Sequence, residues 1–385
     1  MTFPVHLRSG YESRYELLGA MSREVGEAFA SRGCPIDPDE PIGERPSIYL
    51  WFNFLRDISG IPEEARDPRN RVALVNIFVD HPYAIAEALT DQLAELPNYR
   101  LLMPCVDGLH LLRSRWPTLR FSYLAHAVPP QAVCDRVDGE RETGIVVTGS
   151  IRSEKDLQAM ETKLPEKLRR PCREMVELMV AHPWMPFEQA VDLTLGARAL
   201  SPDSWKVSSA IWQFVSARVN RRRRVALVQA LQGLPVEVWG LDPWAEVCTG
   251  TIRYRGTFGY DDSGAILAGA KTCLAWGPTQ FTHSYSERQL LAMAAGCATV
   301  SDDRLLVRGQ LAEGLEVFDA ARPADAADLL RDLLQDDTRR LGLAERGRSL
   351  VARAHLWSNR VDQIATVAGE AIAGHAPESV TAIPA

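Results

Sequence analysis

The stretch His283–Val300, HSYSERQLLAMAAGCATV, sets a polar loop directly against an apolar helix that ends in glycine and runs into a strand. Leu290, Leu291, Met293 and Ala294 recur at helical spacing, and Gly296 sits where a helix stop is expected. Ala298-Thr299-Val300 then reads as a short buried strand closed by Ser301-Asp302-Asp303. Loop, helix and strand in this order predict a Rossmann-like unit whose helix N-terminus presents backbone N–H groups to an anion. The competing reading is an ordinary αβ unit in which Glu287 and Arg288 complement the helix dipole or pair with each other.

Working outward, Glu142–Ser150, ETGIVVTGS, predicts a strand with Gly149-Ser150 at its end, and Arg224–Gly240 predicts a helix end, a turn and the strand Val236–Trp239. Tyr254-Arg255-Gly256 and Tyr260 precede a helix through Ala270 and a strand from Thr272 to Trp276. The residues from Arg322 to Ala354 read as helical and charged. Between the first two of these strands lies a long segment, Ser153 to Asn220, with helical periods, several Trp, and expected breaks at Pro165, Pro171, Pro183, Pro186 and Pro202. Arg221-Arg222-Arg223-Arg224 closes it; in an acidic chain such a run fits a solvated helix face better than a phosphate or nucleic-acid site.

The N-terminal half alternates in the same way. Pro4–Arg8 predicts a strand, Ser9-Gly10-Tyr11 a loop, and Arg14–Ser31 a helix with Tyr15, Leu18, Met21, Val25 and Phe29 on one face. Ser47–Phe54, Ala73–Val79, Arg100–Pro104 and Phe121–Leu124 predict further strands, with a helix over Ala84–Leu96. Ligands collect beyond the carboxyl ends of such strands, where Asp80, His81, Asp107 and His126 fall. Each has a structural rival: Asp80 as a helix cap or brace for the Pro82 turn, His81 and His126 as satisfied interior histidines. A His at a strand end is equally the usual general base, its pKa lying near neutrality.

With 385 residues and 46% hydrophobic content the chain can build two cores. The formal charge of −7 argues against bulk attraction to nucleic acid or an anionic membrane. Seven scattered cysteines without a CxxC pair fit reduced thiols in the cytoplasm rather than a zinc site or a disulfide framework. Neither a signal peptide nor an integral membrane segment is expected, and the Ala- and Pro-rich tail after Gly374 is expected to fray.

In their order, these segments resemble the GT-B glycosyltransferases, and within them the spore-maturation-protein-type glycosyltransferase-like family. Arg288 and Met293-Ala294-Ala295-Gly296 fit the family's C-terminal signature, the helical insertion is shared, and His355 to Arg360 resembles its closing pattern. Leu291 and His283 stand where the family carries Glu. The resemblance implies an α/β, GT-B chain of two Rossmann-like domains facing across a cleft. Residues 1–135 would be the acceptor domain and 140–360 the nucleotide-sugar domain with its insertion at 153–222. A final helix and tail, 361–385, would cross back to the first domain. It further implies transfer of a sugar from a nucleotide-sugar donor of unknown base to an unidentified acceptor, with no cofactor and no structural metal. The implied donor-binding set is Gly149, Arg152, Trp239, Gly240, Tyr260, His283, Ser284, Tyr285, Ser286, Glu287 and Arg288; the implied catalytic set is Asp80, His81 and His126, one of which takes the acceptor's proton if the reaction inverts, while all become acceptor contacts if it retains configuration. The departures at Leu291 and His283 leave open a catalytically inactive GT-B-shaped binding or scaffold protein, and more remotely a relative of epimerase or phosphorylase kind.

Overall fold

A computed structural model describes residues 3–8, 16–37, 41–53, 58–85, 91–107, 109–137, 140–196 and 205–374. The expected loop at Ser9–Tyr11, the start of the first helix with Tyr15, the strand end at Phe54, the middle of the helix expected over Ala84–Leu96, the break at Pro202 and the tail after Gly374 lie outside those residues. The chain forms two compact units, one from the residues up to Pro130 together with those from Ala354 onward, the other Gln131–Arg353.

The first unit holds a parallel sheet of β1 (Val5–Leu7), β2 (Ser47–Phe52), β3 (Val72–Ile77), β4 (Tyr99–Met103) and β5 (Phe121–Tyr123), each paired with the next. Every residue of β2 and β3 is buried, as their continuous apolar sequences require. Side chains alternate between faces, so Ile48, Leu50 and Phe52 share a core with Ala73, Val75 and Ile77. Helix Leu17–Ser31 adds Met21, Val25 and Phe29 to it, and helix Ser358–Ile372 adds Val361, Ile364 and Ala368. The division between the two units falls between Arg353 and Ala354. Val128 bridges Leu356, and Arg360 donates to the carbonyls of Ala125 at 3.1 Å and His126 at 3.2 Å, which ties the whole His355–Arg360 segment to the first unit.

The second unit carries six parallel strands: β6 (Thr143–Thr148), β7 (Val236–Trp239), β8 (Ile252–Gly256), β9 (Ala270–Leu274), β10 (Ala298–Asp302) and β11 (Leu315–Phe318). Their spatial order, β8-β7-β6-β9-β10-β11, is the doubly wound Rossmann order. Winding reverses between β6 and β9, so the loops after Thr148 and Leu274 flank the position where such sheets take ligands.

Between β6 and β7 run the helices Glu154–Lys163, Glu166–Ala181, Phe187–Leu195 and Trp205–Ala230. Pro171 does not break the second of these; it forfeits one intrahelical bond in a helix held by Cys172, Met175, Val176 and Met179 on its buried face. The solvated-face reading of Arg221–Arg224 is also overturned. The four residues lie inside a 26-residue helix, and Arg221 and Arg224 are buried. At roughly 100° per residue four consecutive side chains sweep roughly 300° of a helix, so a packed helix must turn some of them inward. No described helix is long and apolar enough to cross a membrane. All seven cysteines are free thiols, five of them buried.

Candidate functional site

Two glycines bring the backbone turns after β6 and β7 together. Gly149 adopts φ +131°, a conformation that favours glycine, donates its N–H to Trp239 O at 3.0 Å and accepts from Trp244 Nε1 at 2.7 Å. A Cβ on Gly240 would lie 2.2 Å from Gly149 O and 3.0 Å from Trp244 Cδ1, so only a glycine allows this approach.

Two guanidinium groups border the same glycine. A Cβ built on Gly149 would sit 3.6 Å from Arg224 Nη1 and 3.9 Å from Arg288 Cζ. Arg224 comes from the long insertion helix, donates to Ser150 O, and lies 5.5 Å over the Trp276 ring at the end of β9. One turn earlier on that helix, Arg221 donates to Arg152 O and to Glu154 Oε1, both at 2.7 Å. The helix thus holds the carbonyls of the loop after β6. Arg288 stands in the first turn of helix Glu287–Ala294; its Nη1 is buried and finds no hydrogen-bond partner among the described residues. Ser284 Oγ and Trp239 Nε1 are buried and unpartnered in the same sense, and Ser284 is wholly inaccessible.

The helix N-terminus itself is more occupied than expected. Ser286 and Gln289 form a capping box: Ser286 N donates to Gln289 Oε1 at 3.2 Å while Ser286 Oγ accepts from backbone N–H groups of the first turn. Gln289 Nε2 then reaches Ser301 Oγ at 3.2 Å, fixing the helix against β10. The positive charge at this corner is therefore that of the Arg288 and Arg224 guanidinium groups rather than of bare backbone N–H groups.

Beneath the corner, Arg304 clamps the loop after β9. Its guanidinium bonds Asp302 Oδ2 at 2.6 Å, Pro278 O at 2.9 Å, and the carbonyls of Gly277 and Phe281, and it is 6% exposed. Asp302 Oδ1 accepts from Gly277 N at 2.8 Å, completing the clamp. Sequence reasoning passed over Arg304 and took Arg224 as part of a solvated helix face; the signal available for both was a cation in a segment otherwise built to be buried.

Of the expected donor set, Gly149, Trp239, Gly240 and Arg288 meet at this corner, with Ser284 and Ser286 on the segment leading into Arg288. Glu287 is buried in the first helical turn, in keeping with a dipole partner. Tyr285 is buried with its hydroxyl donating to Gln310 Oε1 at 2.7 Å, a packing role. His283 is half-buried and its carbonyl accepts from Leu306 N at 2.9 Å. The side chain of Arg152 is exposed, and Tyr260, buried, accepts from Ser263 Oγ through its carbonyl at 2.6 Å.

The carboxyl edge of the first sheet carries its own polar group. Asp80 and His81 follow β3, Asn53 follows β2 and Asp107 follows β4. Asn53 donates from Nδ2 to Asp80 Oδ2 at 2.9 Å and accepts at Oδ1 from Val79 N at 2.8 Å. His81 is buried and stacked on Tyr83 with ring centroids 5.5 Å apart, and its Nδ1 accepts from Tyr83 N at 3.3 Å. Burial drives the His81 pKa down to about 4, with the Asp107 charge opposing. His126 is buried just after β5, its carbonyl taken by Arg360 of the closing helix. No three His, Cys, Asp or Glu side chains among the described residues group as metal ligands do.

Residues 221–366 match the family described as glycosyl transferase-like. Among solved structures, the DNA-modifying enzyme β-glucosyltransferase, determined with and without its substrate uridine diphosphoglucose, superposes with a TM-score of 0.51 at 10% identity over 96% of this chain and 100% of that one. A sucrose-phosphate synthase from Thermosynechococcus elongatus aligns at a TM-score of 0.42 and 10% identity over 96% of this chain and 99% of its own. No curated protein matches the sequence. The chain has the α/β GT-B fold, with two parallel sheets of Rossmann-like type.

Proposed function

We propose that this protein is a glycosyltransferase that takes a sugar from a nucleoside-diphosphate donor bound at the switch point of the second sheet. The observation that carries the reading is the pair Arg224 and Arg288, two guanidinium groups bordering Gly149 where a doubly wound sheet takes its ligand. Glycosyl transfer leaves a diphosphate, and fixed cations aimed at that developing charge stabilise the transition state more than the ground state. Guanidinium also matches phosphate oxygens in bidentate geometry. Gly149 places no side chain between the two guanidinium groups. The four-helix insertion between β6 and β7 favours the spore-maturation-type branch of these enzymes.

The test is turnover. Purified protein is incubated with UDP-, GDP-, ADP- and dTDP-sugars, and released nucleoside diphosphate is measured with water or a sugar as acceptor. Release from one nucleotide class that falls on substituting Arg288 supports the reading. Neither binding nor release with any of them points to the inactive scaffold.

A further inference from the structure

We propose that Asn220 is a positioning residue for donor binding: with the arginine run that follows it, Asn220 makes the insertion helix Trp205–Ala230 a strut that holds the loops after β6 and β9 at one spacing. This rests on the transferase reading above and lies within the second unit alone.

The two loops begin where the β6–β9 ladder stops, at Val147 and Leu274. Beyond that point one helix bonds both. Ser216, Asn220 and Arg224 recur every four residues and so share one face of that helix. Asn220 Oδ1 accepts from Thr279 N at 3.0 Å, and Thr279 Oγ1 reaches Ser216 O at 3.5 Å, which fixes the loop after β9. One turn further on, Arg224 donates to Ser150 O in the loop after β6, while its guanidinium covers the Trp276 ring in the loop after β9. Arg221, beside that face, holds Arg152 O of the loop after β6. The other two arginines fasten the helix to the rest of the insertion: Arg222 pairs with Glu177 and Arg223 donates to Met179 O, both on helix Glu166–Ala181.

Asn220 is the member of this set whose presence needs a reason. Asn is a poor helix former, and here it stands inside a 26-residue helix. Thr279 opens the 3₁₀ turn Thr279–Phe281 directly after Pro278, where an N–H has no partner within the turn. Thr279 is 6% exposed, and a buried N–H left unpaired is costly. An amide oxygen from the facing helix meets that need. The loop is braced onward from there: Phe281 N donates to Pro278 O at 3.1 Å, Thr282 Oγ1 to Thr279 O at 3.0 Å and Ser284 N to Phe281 O at 3.2 Å. This braced piece leads into the capped helix that bears Arg288. Asn220 itself touches no donor atom in this account; it acts through the loop that it holds.

Asn220→Ala removes the acceptor while favouring the helix, and Thr279→Pro removes the N–H donor. Proline suits the first position of a helical turn, and Pro278, at ψ +166°, already has the extended backbone that a following proline requires. Both variants and their double are titrated with UDP, GDP, ADP and dTDP and assayed for release of nucleoside diphosphate with water as acceptor. Hydrogen exchange is followed in each. Each single variant should bind its nucleotide roughly tenfold more weakly and raise KM by the same factor, with kcat unchanged. Exchange should quicken over 277–286 and not elsewhere in the second unit. Because both changes break the same bond, the double variant should bind no more weakly than the weaker single. Asn220→Asp keeps an acceptor for Thr279 N–H and should restore slow exchange over that segment. Full nucleotide affinity in both folded single variants, losses that add in the double, or exchange that quickens throughout the unit would overturn the proposal. Absence of nucleotide binding by the wild-type protein would sink the transferase reading and the donor role with it, and local exchange would still decide whether Asn220 holds the loop.

Discussion

Replacing Arg304 by Met removes the clamp of the second unit while keeping most of the side chain's volume. The structure sets the scale. Asp302, 6% exposed, would keep Gly277 N–H but lose the guanidinium that it bonds, and the carbonyls of Gly277, Pro278 and Phe281 would lose a charged donor. Removing one partner of a buried ion pair costs about 3–5 kcal/mol, because the remaining charge is stranded. In a unit of this size that corresponds to a fall in Tm of roughly 10 °C. The loop after β9 leads through Thr282 to Ser284 and Ser286, so nucleotide affinity should fall as well. Urea unfolding followed by Trp fluorescence measures the loss. Asp302→Asn in the Arg304→Met background removes the stranded charge and should recover about 1–2 kcal/mol. A loss below about 1 kcal/mol for the single variant, or no recovery in the double one, would refute the clamp.

Three further outcomes follow from the geometry. Folded His81 titrates near 4 rather than its usual 6.5, so the unfolded chain binds the proton first as pH falls, and stability drops from about pH 6.5 down to about pH 4. The loss at pH 5 is about 2 kcal/mol, and in His81→Gln the acid-side decline should flatten by that amount in urea titrations. Gly240→Ala drives a methyl into the Gly149 carbonyl, a backbone clash that costs about 1–3 kcal/mol and should weaken nucleotide binding; unchanged affinity would separate that turn from the site. Because guanidinium groups meet the diphosphate charge in this account, release of nucleoside diphosphate should survive a chelator, and its loss with EDTA would place a metal in the reaction.

The two-domain α/β fold was legible because parallel strands buried on both faces leave long apolar runs such as Val72–Ile77 and Ala298–Val300. The edge strand Leu315–Phe318 left no such run: four residues, with Glu316 on the exposed side, resemble a turn. The Rossmann order was not readable at all, since it depends on which strands pair at distances the local pattern does not encode. At the corner, Gly149, Gly240 and Arg288 could be singled out because glycine at a strand end and a cation beside a helix start are local signals. Arg224 was misjudged because its run was weighed as surface charge, whereas a helix packed on several sides must bury part of any four-residue run. Asn53 was read straight through as strand; its left-handed turn is imposed by the amide contacts to Val79 and Asp80, which lie far along the chain. The Val128–Leu356 pairing is likewise non-local and left no local signal.

The central claim is that Arg224 and Arg288 bind the donor's diphosphate. It is tested most directly by titrating UDP, GDP, ADP and dTDP into wild-type protein and into Arg288→Ala and Arg224→Ala, with heat of binding and Tm recorded together. The account predicts a rise in Tm with one of the nucleotides, near 2.7 kcal/mol of stabilisation at about a hundredfold excess over Kd. It predicts a loss of about 1.5–3 kcal/mol in affinity for each folded variant. Full affinity in both variants, or no binding of any nucleoside diphosphate to the wild-type chain, would contradict it.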